Sequence, residues 1–234
     1  MSESVRYELL DSIAVISLDD GKANALSPAL LRAVHAQLDR AEKEAAAVLL
    51  AGRAGRLSAG FDLSVMTSGV DAMRQLVLDG AELLLRMYLF PRPIVTACTG
   101  HALAAGALLL LASDYRIAAR GNFKIGLNEV AIQIPLPIFA VELARDRLSK
   151  RHFTSAATQA RIYDPEGALE AGYLDALENS ESLMDAALHH ARRLAALVNP
   201  AFSLTKERER GATVRLIRES LRDDIARLTT PVPA

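Results

Sequence analysis

The first 120 residues alternate between short apolar runs and segments with helical spacing, and this alternation restricts the fold more than any other feature of the chain. VRYELL and IAVISL, separated by Asp11-Ser12, read as a hairpin, the second run rich in β-branched residues. Asp19-Asp20-Gly21 marks a turn. Ser27-Pro28 opens a helix, with Ser27 as N-cap and Pro28 at the first helical position; Leu30, Leu31, Val34, Leu38 and Ala41 follow at helical spacing. AAVLLAG at 46–52 reads as a buried strand. A polar, glycine-containing connection over 52–58 leads to a helix starting near Asp62 and a longer one over 70–89, which Pro91 and Pro93 end. IVTAC is a further strand, Thr99-Gly100 a turn, 104–112 an apolar helix and DYRIAA a strand. Such an order predicts an α/β fold with a parallel or mostly parallel sheet and crossover helices. From Pro135 onward, Ala, Leu, Arg and Glu dominate and strand signals vanish; the clearest helices cover 181–198 and 201–228. The expected organisation is an α/β core over 1–175 followed by a helical C-terminal region over 176–234.

Composition narrows the function classes. With 51% hydrophobic and 24% charged residues in 234, the chain can bury a sizeable core and does not have the composition of a disordered segment. Lys and Arg number 27 against 28 Asp and Glu, a net charge of -1, which argues against a strongly basic nucleic-acid binder and leaves room only for a local patch. One cysteine, Cys98, rules out an intramolecular disulfide and a cysteine-rich zinc cluster, and it reads as a buried strand residue. The five histidines show no metal-ligand spacing with a carboxylate or cysteine, so no metal site is expected. The start, MSESVRYELLD, lacks a signal-peptide pattern, and the longest apolar stretch, 102–112, is well short of the ~20 residues that cross a bilayer. The expectation is a cytoplasmic protein with no membrane or nucleic-acid partner.

Three loops concentrate the chemistry. In Arg56-Leu57-Ser58-Ala59-Gly60-Phe61-Asp62-Leu63, a small-residue turn after a strand lets backbone approach a ligand. It also reads as a plain strand-to-helix connection with Asp62 as N-cap. Thr99-Gly100-His101-Ala102-Leu103-Ala104-Ala105-Gly106-Ala107 repeats the design. Small residues there leave the N–H groups of a helix start open to developing negative charge, or simply let the helix pack closely. In Phe123-Lys124-Ile125-Gly126-Leu127-Asn128-Glu129-Val130, Glu129 stands among apolar residues. A carboxylate in such surroundings acquires a raised pKa and becomes a candidate base, unless it is an exposed loop glutamate.

Taken together, the order and spacing of these loops over about residues 5–175, with Ser113-Asp114-Tyr115-Arg116-Ile117-Ala118 after the second, resemble the crotonase superfamily, the enoyl-CoA hydratase/isomerase group. The resemblance implies a ββα spiral with C-terminal helices that build a trimer or a dimer of trimers. It implies an acyl-coenzyme A thioester as substrate and no further cofactor. The thioester oxygen would be held as an enolate by the backbone N–H groups of Phe61 and Ala105; Ala105 stands where the family usually has glycine. Ser58, Ala59, Gly60, Asp62 and Gly106 belong to the matching loops, and Lys22 to Ala25 (KANA, with Lys22, Ala23 and Ala25 as candidates) precede a helix where the family contacts CoA.

Hydratases of this family hold water between two glutamates. By position the first is Leu108 here, and the second is Glu129. A single glutamate in an Ile-Gly-Leu-Asn-Glu context resembles the Δ3,Δ2-enoyl-CoA isomerase branch, since one base can take a proton from C2 and return it at C4 without water. Gln133 replaces a usual glycine and is expected to narrow the acyl pocket or place an amide in it. The rival expectations are hydration or thioester hydrolysis on the same fold, and a degenerate member that binds acyl-CoA without turnover.

Overall fold

The computed structural model describes residues 4–229. It contains strands β1 (Val5–Leu10), β2 (Ile13–Leu18), β3 (Ala47–Ala51), β4 (Gly55–Ser58), β5 (Ile94–Cys98), β6 (Gly100–Leu103), β7 (Tyr115–Ala119), β8 (Ile125–Gly126) and β9 (Ala176–Glu178). The helices are α1 (Pro28–Glu44), α2 (Leu63–Met66), α3 (Val70–Tyr88), α4 (Ala105–Leu111), α5 (Ile138–Arg147), α6 (Lys150–Ala157), α7 (Pro165–Ala171), α8 (Leu183–Ala195) and α9 (Pro200–Ala226). The strands form two sheets, of order β1-β2-β3-β5-β7-β9 and β4-β6-β8. Among the pairs of these strands in the described residues, only β1–β2 is antiparallel. Successive strand pairs β3/β4, β5/β6 and β7/β8 each give one strand to each sheet, with α2–α3 and α4 between them, so the chain winds as the expected ββα spiral.

Both faces of the large sheet are covered, which is why its inner strands read as continuous apolar runs. On β3, Ala47, Leu49 and Ala51 pack toward Leu183, Ala187 and Ala191 of α8. Val48 and Leu50, pointing the other way, join the larger core with α1, α3 and α4. Helix α1 starts as the sequence predicts: Ser27 Oγ accepts from Leu30 N at 3.2 Å and Pro28 occupies the first turn. Cys98 is buried, as expected, and burial pushes its thiol up to about 12.

Three expectations need correction. The 52–58 connection contains β4, and Thr99-Gly100 does not turn the chain away but passes it directly from β5 into β6. Both strands are four residues long and both open on glycine, Gly55 because it adopts φ +79 and Gly100 because the β4 backbone passes so close. A Cβ on Gly100 would fall 1.9 Å from the carbonyl carbon of Gly55. Beyond residue 135 strand signals do not vanish: β9 pairs with β7 after the loop in which Asp175 binds Arg116 through both carboxylate oxygens, at 2.7 and 2.8 Å. Asp114, earlier in the same motif, accepts from Lys206 Nζ at 2.7 Å and lies 3.0 Å from Arg210 Nη1, which fastens α9 to the core. These buried ion pairs hold the helical region in one place on the sheets.

Candidate functional site

The small sheet brings two strand ends side by side. Beyond β4 the chain runs through Ala59, Gly60 and Phe61; beyond β6 it runs through Ala104 into α4. Their approach demands small residues. A Cβ on Gly106 would lie 2.2 Å from the Ser58 carbonyl oxygen, and one on Gly60 would lie 2.8 Å from Ala104 Cβ and 3.2 Å from Ala105 N. Gly60 has φ +94, a conformation that costs glycine little. Ser58 is fully buried and ties the first loop together, its hydroxyl donating to Asn24 O at 2.7 Å and accepting from Gly60 N at 3.1 Å.

Two backbone donors are left over. The N–H of Phe61 and that of Ala105 meet no backbone or side-chain acceptor among the described residues. Neighbouring groups are taken: Leu26 N donates to Gly60 O at 2.8 Å, and Ala104 N to Gly126 O at 3.0 Å. Ala105 opens α4, where N–H groups have no partner within the helix. The peptide that carries its N–H is aimed by Ala104, at φ +51 and ψ -128. A non-glycine residue there stores strain on the order of 1–3 kcal/mol, and such strain collects at functional sites.

Against these donors lies a cavity of about 120 Å³ whose wall is almost wholly apolar, including Leu63, Met66, Met73, Val77, Leu108 and Phe139. Phe61, Ala59 and Ala104 reach it from the two loops, and Glu129 and Asn128 from the segment after β8. Among the described residues that line it, Glu129 is the one ionisable side chain. Burial raises its carboxyl from the usual range to about 7, opposed in part by backbone N–H donors of residues 128 and 129. Its Oε2 and the Oδ1 of Asn128 are buried with no hydrogen-bond partner. A carboxylate without a cation beside it, facing an apolar cavity, is poised to exchange a proton near neutral pH. Behind it the phenol of fully buried Tyr173 is raised by burial, by Tyr163 and by Glu129.

Other expected site residues fall in different places. Leu108 is buried and lines the cavity, so the first position of the family's carboxylate pair is apolar. Asp62 caps α2, accepting from Ser64 N at 2.9 Å, and does not line the cavity. Gln133 is exposed and is not among the residues on the cavity wall, although Ile132 and Ile134 on either side of it are. Its φ of +61 closes the short helical turn Val130–Ile132, and this explains why glycine is the easier residue there. Ala23, with Ser58, Ala59 and Leu103, lines a second depression of about 200 Å³ that meets the first cavity at Ala59. Lys22 is exposed and its carbonyl accepts from Arg53 at 2.6 Å; Ala25 N lies 3.3 Å from Asp20 Oδ2. Sequence reasoning missed Arg56, His101 and Lys124, whose side chains flank that depression. Asn24, within the Lys22 to Ala25 stretch, is fully buried at φ +50, and its amide donates to Leu18 O at 3.0 Å and Leu57 O at 3.1 Å. An asparagine in a turn between strand and helix is a weak signal for such a left-handed staple.

Residues 8–226 match the family model described as enoyl-CoA hydratase/isomerase. The chain belongs to that family. A curated human relative, enoyl-CoA delta isomerase 1, mitochondrial, is 29% identical over 213 residues, 88% of this chain and 70% of its own. Among solved structures, an enoyl-CoA hydratase/isomerase family protein from Pseudomonas syringae superposes with a TM-score of 0.94 at 43% identity, covering 97% of this chain and 99% of the other. An apo enoyl-CoA isomerase of Mycobacterium tuberculosis superposes with a TM-score of 0.92 at 40% identity, covering 97% of this chain and 99% of the other. The architecture is thus the crotonase fold, and among the described residues no helix is long and apolar enough to cross a membrane.

Proposed function

We propose that the chain shifts the double bond of a 3-enoyl-CoA to the 2-position. One observation carries the reading: among the described residues Glu129 is the sole ionisable group on the cavity wall, and Leu108 stands where a second carboxylate would be needed to hold water. In this reading the thioester oxygen lies between the N–H groups of Phe61 and Ala105. Glu129 takes the proton from C2, and the negative charge moves to that oxygen, where each donor contributes roughly 3 kcal/mol of transition-state stabilisation. The same carboxyl returns the proton at C4. No water takes part, and an unpartnered water beside Leu108 has too few hydrogen bonds to stay. The steps need no cofactor beyond the CoA of the substrate, whose phosphates find positive charge at Arg56 and Lys124 beside Ala23.

The test is a paired assay of 3-enoyl-CoA isomerisation and 2-enoyl-CoA hydration on the same preparation. Isomerisation faster by at least tenfold is expected. Faster hydration would assign water activation to a group other than Leu108, and acyl-CoA binding with neither activity would support a binding protein. The proposed assembly is a trimer or dimer of trimers, supported by Leu197, Leu204 and Leu216, all about half exposed along α9 and just before it. Light scattering of a monomer at micromolar concentration would refute it.

A further inference from the structure

We infer that the cavity of this chain is built for acyl groups of about four to six carbons, and that Leu228, held by Arg74, sets that limit. The inference rests on the reading above for the nature of the ligand, and on the cavity itself for its size.

The space is about 120 Å³. A dry apolar cavity of about 150 Å³ holds benzene, six carbons. The present one therefore has room for a short acyl group and little more. Part of its wall is the segment just after α9, where Leu228 and Thr229 both line it. A helix end is ordinarily the loosest part of a fold, since its last carbonyls lack partners. Here it is fastened twice. Arg74 Nε and Nη2 both donate to Leu228 O, at 3.2 and 3.0 Å, and Asp224 Oδ2 accepts from Ile138 N at 2.6 Å. The first bond ties the wall to α3 beside Met73, and the second ties it to α5 beside Phe139, both of which line the same cavity. Leu228 is consequently buried, at 7% exposure. Leu63, at 64%, and Ile132, at 44%, are large apolar lining residues that stand exposed at its rim, with Ala59 and Thr229 exposed as well. A longer chain must either displace the fastened Leu228 or emerge past this rim into water, where added carbons gain no burial.

The expected signature is a break in a chain-length series. Saturated acyl-CoAs from C4 to C12 are titrated against the full chain, and 3-enoyl-CoAs of matching lengths are assayed for kcat and KM. Each buried CH2 strengthens binding about fourfold. Affinity should rise at that rate to about six carbons and then level or fall. Leu228→Ala should carry the rise at least two carbons further. Arg74→Gln, which leaves every lining side chain in place, should do the same by freeing the wall; it serves if the first variant folds poorly, with circular dichroism as the check. An unbroken rise to C10 in the wild type, or an unmoved break in both folded variants, would overturn the inference. Because binding is read without turnover, a break at six carbons with no enoyl-CoA turnover sinks the isomerase reading alone. Turnover with no break sinks the chain-length limit alone, and failure to bind any acyl-CoA sinks both.

Discussion

The two faces of the large sheet differ in kind. Toward α8, Ile13, Leu49, Val95 and Ile117 meet Leu183, Ala187 and Ala191 in an apolar layer, edged by the stacked pair of Tyr115 and His190. On the other side, beyond α4 and the small sheet, lie a strained Ala104, two unpartnered N–H groups, an unpartnered carboxylate oxygen and a cavity. The first face is made of contacts that lower the free energy of the fold. The second keeps polar groups unpaired, which costs stability and leaves them available to a ligand. The comparison teaches that one sheet can support stability on one side and chemistry on the other.

Removing the base tests this division most severely. Glu129→Gln should lower isomerisation on the order of 10²–10⁴-fold while acyl-CoA binding persists. It should also raise stability above neutral pH. The carboxyl is raised to about 7 from an unfolded value near 4.5, so its favourable contribution is complete below ~4.5 and is lost as pH climbs through about 7. The neutral amide avoids that loss, a gain of about 1–3 kcal/mol at pH 8 after allowance for partial exposure. In the wild type kcat/KM should rise with pH through about 7, because the base must be ionised. Unchanged turnover, or a variant no more stable at pH 8 by chemical denaturation, would dissolve the distinction between the faces.

The opposite substitution probes the opposite face. Leu49→Ala, on β3 against α8, removes a fully buried side chain and should cost about 2–5 kcal/mol in urea denaturation. Activity per folded molecule should stay within about twofold. A large kcat change in this variant would mean that the two faces are mechanically coupled.

The smallest effect sharpens the strain argument. Ala104→Gly lets φ +51 be occupied without a Cβ penalty, and relief of about 1 kcal/mol should appear as a raised melting temperature. The greater freedom of glycine should also loosen the aim of the Ala105 N–H, lowering kcat more than it raises KM. A lowered melting temperature would show that Ala104 is not under strain.

The sequence alone determined the elements whose signal is local. Ser27-Pro28 starts α1, the apolar run at 47–51 is a strand, and the Pro91 and Pro93 pair follows the end of α3, because caps, periodicity and proline act within a few residues. Glu129 among apolar neighbours was legible for the same reason, and so was the apolar character of Leu108. Only the tertiary structure decided the rest. β4 and β6 are too short and too rich in glycine to announce themselves, and they are strands because each lies beside the other. β9 exists because β7 offers it an edge, with Arg116 gripping Asp175 at the approach. Gln133 matched a family pocket position in order along the chain, yet a left-handed turn puts it in solvent. Arg74 and Leu228 meet across 154 positions, a separation over which no periodicity or motif carries information. Local chemistry fixes where a strand or helix begins; which distant groups share a cavity is settled only when packing brings them together.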